Sequence, residues 1–338
     1  MKKLTAAVVL WVASGWLTAN AQDCNRACLE GWVDQYLDAV IDDDPSAVRM
    51  TRDVRFTEDG QQLEVGDGLW NSMKSRGSYR LFVTDVPAQQ VALLTTIAED
   101  DRTPDGEVPA LLALRLKIEA DRISEIEQIV VRDPAAAGRV NALGSPHPMY
   151  LETIPRSRRM SRDAMLETAN KYFTGMQQND GRGDYPFSDD CHRIENGGPA
   201  TNNPTPPGET RPDPATATGY SGQWTCREQF ESGLLHFVNR IRDRRFVAVD
   251  EERGLVFSFV FFDHSAGDTR TFETPNGRTI TAGPAQPWTW GIAELFKVQD
   301  DQIRQIEAIL HRVPYGMNSG WSSYEDGMSD RLQDLTGI

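Results

Sequence analysis

Several familiar signatures are missing from this chain. It has no G-x-G-x-x-G or P-loop, no G-x-S-x-G elbow, and no C-x-x-C or H-x-x-x-H spacing. Nucleotide cradling, serine-hydrolase chemistry and zinc binding therefore have no motif to rest on. Past the first 21 residues, no stretch approaches the roughly 18 consecutive apolar residues of a membrane helix. Basic residues are also short, with 35 Lys and Arg against 50 Asp and Glu and a net charge of −15. Such acidity repels phosphate backbones and anionic lipid, which argues against nucleic-acid and membrane-surface partners. Cysteine is scarce at four residues.

The N-terminus reads as an export signal, residues 1–21. Lys2 and Lys3 precede the apolar run "LTAAVVLWVASGWL", and Ala19 and Ala21 give a small-x-small cleavage site before Gln22. Its removal takes away two positive charges and leaves a periplasmic or extracellular chain. In that setting an even number of cysteines favours disulfides over thiol chemistry. Sequence proximity suggests Cys24 with Cys28 and Cys191 with Cys226, although four cysteines permit three pairings.

What the chain does contain is a repeat. "DQYLDAVIDDD" (34–44) parallels "NKYFTGMQQND" (170–180), and "DVRFTEDG" (53–60) parallels "DCHRIENG" (190–197). "DRISEIEQIVVR" (121–132) likewise parallels "DQIRQIEAILHR" (301–312). The matches keep their order, which describes a tandem duplication. The spacing between partners grows from 137 to 180 positions, so the second copy carries about 43 extra residues between Gly197 and Asp301. One part is the Pro- and Thr-rich stretch 198–222, a long loop. The other is 264–287, an enlarged hairpin turning at Asn276-Gly277.

Within each copy an amphipathic helix comes first, then a strand bearing the T-E-D-G or I-E-N-G motif. A further helix follows, clearest in "CREQFESGLLHFVNRI", and three or four strands close the copy. The expected divisions are a first domain at 22–135, a linker at 136–159, a second domain at 160–330 and a tail at 331–338.

This order resembles the NTF2-like, or SnoaL-like, family of α+β cone domains. The resemblance implies two tandem cones, each with N-terminal helices packed on a curved, mostly antiparallel sheet around a pocket. It extends to ketosteroid-isomerase-like members, in which a tyrosine of the first helix donates to a developing oxyanion and the next strand supplies a general base. Tyr36 and Tyr172 stand at the first position; Glu58, Asp59 and Glu195 stand at or beside the second. The chemistry implied is cofactor-independent acid–base catalysis, as in a lyase, isomerase or cyclase, on a small hydrophobic carbonyl, phenolic or polyketide-like compound. The alternative within the same family is a non-catalytic module that binds a ligand or a protein partner, with a homodimer surface as one form.

The second copy is the expected site of activity. It holds His192, His236, His264 and His311, and position 311 is Val131 in the first copy. Tyr172, Glu195, His311 and His192 are the catalytic candidates, although strand alternation places His192 opposite Glu195. Trp224 and Trp288 flank the two insertions and are candidates for a pocket mouth, and Asn196 adjoins the acid. Tyr36, Glu58 and Asp59 are their counterparts in the first copy. Each has a plain reading beside the functional one: Glu195 as an acceptor for the Asn196-Gly197 turn, Tyr172 as a core aromatic, His311 as a structural histidine. No metal site is expected.

Overall fold

A computed structural model describes residues 23–103 and 106–337; the expected export signal lies outside the described residues. The first domain opens with α1 (Arg26–Ile41), capped by the Asn25 side chain, which accepts from the Cys28 amide. Leu29, Trp32, Val33, Tyr36, Leu37 and Val40 form its buried stripe. A 3-10 turn at Pro45–Ala47 leads into β1 (Met50–Glu58) and β2 (Gln61–Leu63). Strands β3 (Met73–Asp85), β4 (Gln90–Asp100), β5 (Glu107–Glu119) and β6 (Arg122–Val131) complete a sheet of order β2-β1-β6-β5-β4-β3. Only the β1–β6 pair is parallel among these strands.

Helices α2 (Pro134–Leu143) and α3 (Pro148–Leu151) occupy the expected linker. The second domain runs α4 (Arg162–Met176), β7 (Phe187–Glu195), β8 (Gly198–Pro199), α5 (Cys226–Glu231), β9 (Arg240–Asp250) and β10 (Leu255–His264). The inserted ribbon β11 (Thr271–Glu273) and β12 (Thr279–Thr281) precedes β13 (Trp288–Gln299) and β14 (Gln302–Val313). The chain ends with α6 (Tyr324–Gly327) and β15 (Leu332–Asp334). The sheet order is β15-β9-β10-β13-β14-β7-β8. Without β15 it matches the first sheet strand for strand, including the parallel β7–β14 pair. Both domains are therefore mixed α+β, sheet-rich and built on one strand order.

Each sheet is covered on both faces. Helix α1 packs on one face of the first sheet, through Trp32, Tyr36 and Val40, and α4 on the matching face of the second, through Leu166, Tyr172 and Phe173. The opposite faces meet each other, with Tyr79, Leu81 and Leu94 of one sheet against Phe257, Phe259 and Leu295 of the other. Ala136, Ala137 and Val140 of α2 join this shared layer. A strand buried on both faces loses polar alternation, which is why "LLALRL" and "VFSFVFF" read as continuous apolar runs. Charged groups on the layer are paired across it: Arg245 makes a bidentate pair with Glu127 (2.7 and 2.9 Å), and Tyr79 donates to Glu307 at 2.5 Å. Arg26 on α1 reaches Asp250 at 2.6 Å, and Arg162 on α4 pairs with Asp85.

Three elements differ from their sequence expectation. The helix expected over 226–241 stops at Glu231, because Gly233 takes a φ of +69° where a Cβ would lie 2.7 Å from the Pro275 ring. Leu234, expected on that helix stripe, instead packs with Trp224, Phe272 and Ile280 under the insertions. The further helix expected in the first copy is only a 3-10 turn at Gly68–Asn71, and the strand β3 that follows it is bulged, where a Cβ at Gly77 would collide with Thr96. Residues 331–338, expected as a tail, supply β15, which pairs in parallel with β9. Arg242 fixes the preceding segment by donating to the carbonyls of Met317 (2.8 Å) and Gly327 (3.0 Å).

Both suggested disulfides are present, Cys24–Cys28 at the start of α1 and Cys191–Cys226 between β7 and α5. The second closes a loop spanning 35 positions. Replacing both its cysteines by alanine should lower unfolding free energy by about 3–4 kcal/mol, read from denaturant midpoints. A change below about 1 kcal/mol would show that the rest of the insertion already restrains this loop.

Glu307 generates a second expectation. Its carboxyl is pushed up to about 7 by burial, above the 4.5 of the open chain, so the folded state favours the protonated form. That stabilisation is complete below about pH 4.5 and is lost as pH rises through about 7, by up to about 3 kcal/mol. Glu307→Gln should flatten this part of the pH profile of stability, and an unchanged profile would refute the assignment.

Candidate functional site

Strand alternation on β7 turns Cys191, Arg193 and Glu195 toward α4 and leaves His192 on the other face. On β13 the residues turned the same way are Trp290, Ile292, Glu294 and Phe296, and on β14 they are Ile306, Ala308 and Leu310. With Tyr172 and Met176 of α4, Arg193, Glu195, Ile292, Glu294, Ala308 and Leu310 of this set line a cavity of about 140 Å³. Its rim is aromatic, formed by Tyr220, Phe237, Phe262, His264 and Trp290.

The polar part of the cavity is a cluster around Arg193. Its guanidinium donates to Gln229 Oε1 at 2.5 Å and to Glu195 Oε1 at 2.6 Å, and lies 5.6 Å from the centre of the Tyr172 ring. Arg193 Nε and Glu294 Oε2 are buried without a hydrogen-bond partner among the described residues. Burial pushes the Glu294 carboxyl up to about 8; Arg193 opposes the shift, Glu195 adds to it, and the approaching Tyr172 hydroxyl restrains it. Burial also raises the Tyr172 phenol well above its ordinary value, against the pull of Arg193. For Arg193, burial acts to lower the pKa, but Tyr172, Glu195 and Glu294 more than offset it and hold the group charged. At the rim His264 is pushed down to about 4 by burial and is neutral at pH 7. Its Nδ1 lies 3.2 Å from the Phe262 carbonyl, so that nitrogen carries the proton and Nε2 keeps its lone pair. The ring stacks on Trp288 at 4.0 Å.

The equivalent space in the first domain is filled. Strand pairing makes Glu58 and Gln128 the counterparts of Glu195 and Ala308, and Leu114 the counterpart of Glu294. Phe56 stands where Arg193 stands. Gln128 accepts from the Tyr36 hydroxyl at 3.0 Å and donates to Glu58 at 3.0 Å; Glu58 also takes the Leu69 amide at 2.7 Å and Arg132 at 3.1 Å. Trp70 packs edge-on against Tyr36. In the second copy, alanine at 308 removes the plug, while arginine and glutamate replace two apolar side chains.

The two insertions brace this site. Gln229, while accepting from Arg193, donates to the carbonyls of Ala200 (2.7 Å) and Ser221 (2.8 Å), the two ends of the long loop. The β11–β12 ribbon holds the loop from outside through Asn276 to Ala215 O (2.8 Å) and Arg278 to Ala217 O (2.8 Å). The loop in turn places Tyr220 at the cavity rim.

Of the residues singled out from sequence, Tyr172 and Glu195 meet at this cavity. Glu195 does so with its carboxylate committed to Arg193 and its side chain 38% exposed. The other candidates lie elsewhere. His192 is exposed on the far face, beside Asn202. His311 alternates with Leu310 and so points at the first domain, 3.7 Å from Asp59, where burial and Arg132 push it down to about 4. Asp59 accepts from the Val130 amide at 2.9 Å, and burial raises it to about 7. Asn196 bridges the edge of β14, donating to Leu310 O and accepting from Leu310 N. Trp224 is fully buried under the insertions, with its indole donating to Pro212 O. Trp288 supports His264 from behind, and Trp290 is the tryptophan that lines the cavity. Tyr36 and Glu58 belong to the filled interior of the first domain.

Arg193, Glu294 and Gln229 are not among the candidates drawn from sequence, and His264 is there only as one of the second copy's four histidines. The signal for Glu294 was present in the strand "WTWGIAELFKV", whose alternate positions 290, 292, 294 and 296 hold one acid among three large apolar residues. Among the described residues, no helix is long and apolar enough to cross a membrane.

No curated protein matches the chain. Among solved structures, AclR, a putative hydroxylase from Streptomyces galilaeus, is similar at 14% identity and a TM-score of 0.26, over 39% of this chain and 92% of that one. A de novo designed protein with a curved β-sheet is similar at 15% identity and a TM-score of 0.24, over 45% of this chain and 88% of that one. The family model described as Domain of unknown function (DUF8021) matches residues 22–130 and 158–310, and the chain belongs to that family.

Proposed function

We propose that the second domain is an NTF2-like cone whose cavity carries out cofactor-independent acid–base chemistry, of the lyase or isomerase kind, on a small and largely apolar carbonyl compound. One observation carries this reading: Glu294 is buried at 3% exposure in an aromatic-rimmed cavity, with a carboxyl raised to about 8 and one oxygen unpartnered. A carboxylate desolvated in this way is a strong base near neutral pH, because taking up a proton relieves the cost of its buried charge. Tyr172 and Arg193 stand beside it as donors for an oxygen that gains negative charge. Proton abstraction from carbon by Glu294 moves one negative charge from the carboxylate to an enolate oxygen. That charge arrives where the phenol and guanidinium already lie, so little reorganisation is needed.

The proton-transfer role thus passes from Glu195, the acid suggested by resemblance, to Glu294. Glu195 and Gln229 hold Arg193 in place. The first domain, with its interior filled, serves as a structural partner. The two disulfides suit a chain that matures in an oxidising compartment, consistent with export.

Cyclohexanone in deuterated buffer tests the chemistry, with exchange at the carbons beside the carbonyl followed by NMR. The wild-type protein should catalyse exchange in a saturable manner. Glu294→Gln should reduce the rate by about 100-fold or more while the ketone still binds, as expected for loss of a general base. Tyr172→Phe should reduce it by about 10- to 100-fold. A Glu294→Gln protein that exchanges at the wild-type rate would sink the proposal.

The same assay has a pH signature. The active form is the carboxylate, so the rate should rise with pH, reach half its plateau near 8 and level off above it. A profile half-saturated near pH 4 to 5 would exclude Glu294 as the base.

A further inference from the structure

The charges and dimensions of this cavity specify its ligand more closely than the reaction does. Arg193 is the cation of the cluster, and it is already matched: Glu195 is ion-paired with it at 2.6 Å. Glu294, held above its ordinary range by burial, is mainly uncharged at pH 7. The lining is therefore close to electrically neutral before any ligand arrives. A carboxylate entering it would be an uncompensated charge in a desolvated space, at a cost of several kcal/mol.

The two unpartnered polar atoms specify the other requirement. Arg193 Nε–H is a donor with no acceptor among the described residues, and Glu294 Oε2 has no partner either. A protonated Glu294 can donate through that oxygen or accept at it. A ligand that satisfies both needs at least one oxygen function, since a single hydroxyl or carbonyl oxygen carries two lone pairs and can serve both atoms. The size is that of one ring, since an apolar cavity of about 150 Å³ takes up a single benzene, and this cavity is about 140 Å³. Phe237, Phe262, Trp290 and Tyr220 supply flat walls for it.

We infer that the cavity binds an uncharged single-ring compound bearing an oxygen function set against Arg193 and Glu294, and that it rejects carboxylates of the same shape. The inference deepens the proposed function and rests on reading this cavity as a working site. The pairing of Arg193 with Glu195 sets the selectivity: an arginine left unmatched at the same place would select for the carboxylate instead.

The test compares 4-hydroxybenzaldehyde with 4-hydroxybenzoate, close in shape but differing by one charge at pH 7, by calorimetric titration of the full mature chain. The aldehyde should bind at least tenfold more tightly. Glu195→Gln, which leaves Arg193 unmatched, should raise benzoate affinity at least tenfold relative to the aldehyde. Ala308→Gln, which installs the first domain's plug, should abolish binding of both, placing the probes in this cavity. Benzoate binding as tightly as the aldehyde, a preference untouched by Glu195→Gln, retained binding in Ala308→Gln, or no binding of either probe at millimolar concentration would each overturn the inference. The readout is binding alone, so it fails separately from the catalytic reading. Neutral-selective binding without proton exchange would keep the ligand class and remove the catalysis; ketone exchange with a preference for benzoate would do the reverse.

Discussion

The architecture depends on one constraint: neither sheet has a face that can be left in water. Each is roofed by a helix on one side and by the other sheet on the opposite side, with α2 wedged into the shared layer. Most inward polar groups on that layer find partners across it, whereas the Tyr150 hydroxyl and Glu307 Oε2 are buried without one among the described residues. Arg245 finds Glu127, Tyr79 finds Glu307, and Arg162 finds Asp85, which also accepts the Val249 amide at 2.8 Å. Separating the domains would expose the apolar layer and leave these charges unmatched, so each copy is the other's missing wall. This gives the first domain a purpose that needs no site of its own.

Duplication supplied two equivalent interiors, and a small number of positions set them apart. At 128 and 308 the choice between glutamine and alanine decides whether the space beside the helix tyrosine is plugged or open. At 56 and 193, and at 114 and 294, apolar residues in one copy face an arginine and a glutamate in the other. Burying two ionisable groups in a core costs stability, and the bland outcome would have been to keep the apolar pair. The second copy instead surrounds the change with braces: Gln229 beneath Arg193, the Cys191–Cys226 bridge joining their elements, and two insertions bonded to each other over the mouth. That support lies around the polar cluster, where the first copy needs none.

Much of the organisation was legible in the sequence because it is periodic. The repeat, the order of strands, the buried stripe of α1 and the excess of chain in the second copy all follow from patterns that local physics enforces. The two disulfide pairs follow from proximity. The misreadings have a common cause, since they turn on contacts distant in sequence. A helical pattern ran through Gly233, but the approach of Pro275 ends the helix there. Leu332–Asp334 has no strand signal of its own and is a strand because β9 offers an edge. His311 sits beside the right strand positions yet points away from the cavity, because its neighbours Leu310 and Ala308 take the inward places.

The choice between Glu195 and Glu294 shows how sheet position governs chemistry. Both acids stand on the α4 side of the same sheet and both lie within reach of Arg193's field. Strand β7 is next to the edge, covered only by the two-residue β8, so solvent reaches Glu195 and an ordinary ion pair with Arg193 is the stable arrangement. Strand β13 is the central strand of the seven, with β10 and β14 on either side, and Glu294 is buried there. The same functional group is a counter-ion at the sheet's margin and, at its centre, a carboxyl that burial holds largely protonated at pH 7. Motif resemblance points to the marginal acid, because there the acid precedes a recognisable turn. Desolvation points to the central one, and it is desolvation that sets the pKa.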